Sequence, residues 1–153
     1  MKKLFTLFAL GLVLVTGCAS KKKAQEEAAK QAANLEFEYK AITRGSQYNV
    51  VISKAGIWAS SVRGNKPEAK KIESVQWDEL VKLYNDNVTK KGVKLEELEA
   101  PSKKHQFDGA MAANLTVRSG EQATTSITFD HGNPPAQIKP VVDKIVQLAG
   151  FEK

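Results

Sequence analysis

From Leu35 onward the chain switches twice between a two-residue and a helical apolar period, and this doubled switch limits the folds open to it. Leu35, Phe37, Tyr39 and Ala41 alternate with Glu36, Glu38, Lys40 and Ile42, the pattern of a half-buried strand. Arg44-Gly45-Ser46 supplies a turn, residues 48–53 read as a second strand and residues 56–62 as a third. Ser53-Lys54-Ala55-Gly56 joins those two as a tight hairpin. Residues 70–75 read as a short edge strand. Then Trp77, Leu80, Val81 and Tyr84 fall at helical spacing on one stripe. Asp78 and Glu79 are expected in the first turn, where the helix dipole favours acid. Leu95 and Leu98 suggest one short turn over the core.

The second cycle repeats the order without repeating residues. Met111, Ala113, Leu115 and Val117 alternate inward, and Thr125, Ile127 and Phe129 share the inward face of the next strand. Ile138, Val141, Val142, Ile145 and Leu148 form a second helical stripe. Pro140 is tolerated only near a helix start, so this helix is expected from about Gln137, with Gly150 as its stop. Hairpins make antiparallel pairs, and each helix has a single stripe to bury. The expected fold is α+β: a single antiparallel sheet of four to five strands with two helices on one face.

Ahead of this domain, Met1-Lys2-Lys3 is followed by a dozen mostly apolar residues and then Val15-Thr16-Gly17-Cys18. The apolar run is shorter than the roughly 20 residues a membrane span needs. It reads as a secretory signal. Its end resembles the lipobox of bacterial lipoproteins. That resemblance implies cleavage before Cys18, diacylglycerol on its thiol, and acylation, palmitate-like, of the new amine. The chain then divides into a signal peptide over residues 1–17, a lipidated start and polar tether over 18–33, and one globular domain over 34–153. Lys21, Lys22 and Lys23 would lie against the membrane surface. The segment Ala24-Gln25-Glu26-Glu27-Ala28-Ala29-Lys30-Gln31-Ala32-Ala33 has helix formers and no large apolar residue, so it reads as a spacer.

Cys18 is the single cysteine. No disulfide can staple the domain, and its stability rests on an apolar core. About 120 residues suffice for that. The formal charge of +6 drops to +4 without Lys2 and Lys3, and to +2 once the basic tether is set aside. That is no footprint for nucleic acid.

Trp77-Asp78-Glu79-Leu80, Phe107-Asp108-Gly109-Ala110 and Phe129-Asp130-His131-Gly132-Asn133-Pro134-Pro135 resemble segments of small envelope lipoproteins of the Bacteroidota, flavobacteria above all. The resemblance spans most of residues 35–148 and implies lineage and an outer-membrane, periplasm-facing location rather than a reaction.

Reaction signatures are missing. The sequence has no G-x-S-x-G elbow, no H-E-x-x-H and no P-loop. Ser20 and Lys23 match S-x-x-K, but within the tether. No cofactor is implied. His105, Asp108, Asp130 and His131 lie on loops bounding the second strand pair, and two His with two Asp are a conceivable metal set. The simpler reading is structural: Asp130 accepts backbone N–H bonds, Gly132 takes positive φ, and His131 is a passenger. Trp58 points to solvent beside Val51 if Ile57 and Ala59 face the helices. A slip of one residue buries it, which the usual burial of Trp favours. The expectation is a non-enzymatic binding or assembly module, anchored to the membrane at Cys18, with Trp58, Asp130 and His131 as candidate contacts for an envelope protein or ligand. The alternatives are a metal-assisted hydrolase using Asp108, Asp130 and His131, and a periplasmic inhibitor of another enzyme.

Overall fold

A computed structural model describes residues 34–62 and 64–151. The expected signal peptide, Cys18 and the tether lie outside the described residues. The elements run β1 (Leu35–Ile42), β2 (Gln47–Ser53), β3 (Gly56–Ser60), β4 (Glu68–Lys70), α1 (Ser74–Tyr84), β5 (Ala112–Ser119), β6 (Gln122–Thr125), β7 (Phe129–Asp130) and α2 (Lys139–Ala149). A π-helical turn, Asn85–Thr89, extends α1, and short 3-10 turns cover Leu95–Glu97 and Lys104–Phe107. Strand order is β4-β3-β2-β1-β5-β6, with β7 also on β5. Every pairing is antiparallel. The architecture is the expected α+β, with more strands than the four to five anticipated, because the short edge strand β4 joins the sheet and the last expected strand is split into β6 and β7.

One sheet face is the core. Phe37, Tyr39 and Ala41 of β1, Val50 and Ile52 of β2, Ile57 and Ala59 of β3, and Ala113, Leu115 and Val117 of β5 are all buried. Trp77, Leu80 and Val81 of α1 and Val141, Val142, Ile145 and Val146 of α2 close over them. Phe37 meets Trp77 and Tyr84 edge to face, at centroid distances of 6.0 and 5.4 Å. Lys144 Nζ bridges to Glu79 across the two helices at 2.6 Å. Leu95 and Leu98 seal one side as expected.

Four expectations need correction. The edge strand lies at Glu68–Lys70, not at residues 70–75. Ile72 turns inward instead, and α1 starts at Ser74. Its first turn therefore holds no acid, and Asp78 and Glu79 sit one turn later. Gln76 replaces the dipole contact: its Oε1 accepts the Glu73 N–H at 3.0 Å, one half of a capping box. The last helix starts at Lys139, with Pro140 in its first turn and Gly150 at φ 76° closing it.

The fourth correction is a β-bulge. Thr116 faces Thr125, while Ala113 faces Phe129. Three steps on β5 thus oppose four on the partner, so one residue is extra. The Ser126 hydroxyl fills the gap. Ser126 N–H donates to Leu115 O at 2.8 Å, and Leu115 N–H donates to Ser126 Oγ at 3.0 Å. Thr125 therefore lies on the uncovered face and Phe129 in the core. They do not share a face as simple alternation predicts.

Candidate functional site

The bulge places Asp130 opposite Ala112, on the side of β5 away from the helices, and sends the next residue, His131, to the core side. Each finds a different partner.

Asp130 is 2% exposed because the 101–108 segment folds over it. Its carboxylate accepts four hydrogen bonds from that segment: Ser102 Oγ–H at 2.5 Å, Lys104 N–H at 2.9 Å, His105 N–H at 2.8 Å and His105 Nδ1–H at 2.5 Å. Asn133 Nδ2–H donates in turn to Ser102 Oγ at 2.8 Å. Burial alone raises the Asp130 carboxyl. The bonds from Ser102, His105 and Lys104 outweigh it and hold the group well below the usual carboxylate range. An ionised carboxylate can only accept, so His105 carries its proton on Nδ1. It also offers about four acceptor positions, and all are used. Asp130 thus has no lone pair left for a metal.

His131 is half-buried, and its Nδ1 lies 2.6 Å from the hydroxyl of Tyr39, which is fully buried. Burial, with the Asp143 charge added, raises the Tyr39 phenol, which stays protonated. Tyr39 therefore donates, His131 accepts, and burial keeps the imidazole neutral by lowering its proton affinity. Tyr48 packs against the same ring at 5.2 Å and stacks on Phe151 at 4.5 Å. His131 is not the passenger that its loop position suggests but the partner of a buried phenol. A Tyr in the middle of a buried strand was a signal, since its hydroxyl needs a partner.

Asp108 goes elsewhere. It adopts left-handed backbone, φ 57°, and faces Arg44 at 3.6 Å on the surface. The four residues that might have formed a metal set are thus split: His105 with Asp130, His131 with Tyr39, Asp108 with Arg44. Among the described residues no group of three or more His, Cys, Asp or Glu is placed to hold a metal. Gly132 takes φ 83°, as expected of the turn after His131.

Trp58 lies on the uncovered face, against the tendency that favoured burying it. Ile57 and Ala59 point to the helices, and Trp58 sits in a row running Ala69, Trp58, Val51, Glu38, Thr116, Thr125. Its six-membered ring covers Gly56: a Cβ there would lie 3.5 Å from Cη2 and 3.7 Å from Cζ2. The indole is laid along the strand, half-buried, beside Val51 and the charges of β1 and β5. Arg118 bridges Glu36 at 2.8 Å and Glu38 at 2.6 Å, and Lys40 pairs with Glu38 as well. On the same face Asn49 Oδ1 is buried and, among the described residues, has no hydrogen-bond partner. No described helix is long and apolar enough to cross a membrane. The chain matches no protein-family model, no curated protein and no solved structure.

Proposed function

We propose that this chain is a lipid-anchored cell-envelope protein, held by acyl groups on Cys18 at the periplasmic side of the outer membrane. Its domain is a non-enzymatic binding or assembly module that takes a partner on the open sheet face. The observation that carries the reading is Trp58, laid over Gly56 on the uncovered face, one strand in from the edge. An aromatic surface next to Val51, flanked by ordered charges, is the composition of a recognition surface. The orphan Asn49 Oδ1 is an acceptor that a partner's donor would satisfy after a small shift. Support for a non-enzymatic role comes from Ser102, which donates to Asp130, a carboxylate held well below the usual range and so a poor base to activate it.

Two measurements test the two halves. Cys18→Ala should leave an unprocessed precursor that takes up no clickable fatty acid; label on the mutant overturns the anchor. A photoreactive side chain at Val51 should yield one discrete adduct in intact cells, lost when Trp58 is replaced by Ala. The same group at Lys82, exposed on α1, should yield none. Equal adducts at both positions overturn the binding face.

A further inference from the structure

Where β1 ends, the fold leaves an aromatic side chain bare. Phe107 is 84% exposed and Ile42, at the end of β1, is 44% exposed. Close to them in the chain are Arg44, Lys103 and Lys104, all exposed, and one acid, Asp108, which faces Arg44. Phe107 ends the 3-10 turn Lys104–Phe107, and that turn is the one nailed down by the buried Asp130 carboxylate. Asp108 then leaves the turn in left-handed backbone, braced by Arg44. The bonds to Asp130 hold the start of this turn in place, with Phe107 turned away from the core. The apolar ring is presented, with cations close by in the chain.

We propose that this tip docks on an anionic bilayer surface. Phe107 enters the headgroup boundary, with Ile42 beside it, and Arg44, Lys103 and Lys104 pair with lipid phosphate. Charge complementarity selects this occupant, because three cations outnumber one acid. Size selects against a protein: a stable protein interface needs roughly 800 Å² on each side, and one Phe with one half-exposed Ile falls far short. A bilayer needs only an apolar wedge and nearby cations, each adding attraction to an anionic leaflet. Leu35, where the tether joins, is at the other end of β1, about 23 Å away at strand rise. The fifteen residues between Cys18 and Asn34 have a fully extended length of about 50 Å. The tip can therefore reach the anchoring membrane or an opposed one.

The test uses the full processed chain purified from membranes, carrying Phe107→Trp, with the wild type as background for Trp58 and Trp77. It is reconstituted with vesicles of phosphatidylcholine alone or with phosphatidylglycerol, containing bromolipid, and the vesicles are isolated by flotation. In phosphatidylglycerol vesicles the fluorescence added at residue 107 should lose most of its intensity, and in phosphatidylcholine alone it should keep it. Adding Lys103→Glu and Lys104→Glu should weaken the quenching titration at least about tenfold, with melting temperature unchanged. Bromolipid placed only in a second vesicle population tells an opposed membrane from the anchoring one. Added fluorescence that stays unquenched on phosphatidylglycerol vesicles overturns the proposal, as does quenching that the charge reversals leave untouched. Intact mass reports acylation separately, so failure of the Cys18 anchor and failure of the tip are read apart.

Discussion

On the helix side of the sheet, Phe37, Tyr39, Val50, Ile52 and Leu115 are sealed from water. One residue along the same strands, Glu38, Lys40, Val51 and Trp58 lie on a face that neither helix covers. The strands are shared, so backbone hydrogen bonding cannot account for the contrast. The difference lies in what the alternate side chains meet: apolar partners on one side, water and ion pairs on the other. Stability should therefore concentrate on the covered side, leaving the open side free to be spent on recognition.

The largest expected effect is Phe37→Ala, which removes a ring held by Trp77 and Tyr84. It should cost about 3–5 kcal/mol in denaturant unfolding. Trp58→Ala should cost well under half of that; equal costs would break the contrast between the faces. Asp130→Ala comes next. It strips the acceptor from four donors and should cost about 3 kcal/mol, with rapid hydrogen exchange over the 101–108 segment as its signature. An intact segment would show that something other than the carboxylate holds it. His131→Ala should cost about 1–3 kcal/mol by stranding the Tyr39 hydroxyl. Tyr39→Phe together with His131→Ala should be less than additive, and strict additivity would mean that the pair does not couple.

The smallest effect is in pH. Burial lowers the proton affinity of native His131, so the unfolded chain binds more protons between the two values. Stability should then fall as pH drops through about 6.5, the unfolded histidine value. A melting-temperature series for wild type and His131→Gln checks this: the variant should lose that part of the slope. Asp130 acts lower. Its carboxyl is depressed in the native state, so its contribution is complete above the unfolded value of about 4 and is lost progressively below it.

Much of this is legible in the amino-acid sequence. The β1 and β5 alternation, the hairpin at Ser53 and Gly56, both helical stripes and the Gly150 stop follow from local patterns of size and polarity. That Asp130 accepts backbone N–H bonds follows from its place in a loop bounding one strand pair; its bond to the His105 ring does not. What was hidden depended on exchanges between distant or non-repeating groups. Nothing in Thr124-Thr125-Ser126 announces that a hydroxyl will stand in for a backbone acceptor. Ile72 looks like a strand residue, but its burial comes from a chain turning toward α1 and not from alternation. Ser102 lies 28 residues from Asp130, and a lone serine after proline has no pattern to flag it.

The extra residue between Thr125 and Phe129 acts as a phase setting for everything after it. Four steps separate Thr125 from Phe129, so plain alternation would put both on one face: Phe129 would swing toward water, Asp130 toward oil, and His131 away from Tyr39. Iron out the bulge and the chain would keep every residue, yet the 101–108 loop would lose its anchor. Ser126→Val, which removes the hydroxyl that accepts the Leu115 N–H, should therefore be more harmful than a substitution in the exposed Ser119-Gly120-Glu121 turn. Phase, set at Ser126, is what this part of the chain must preserve.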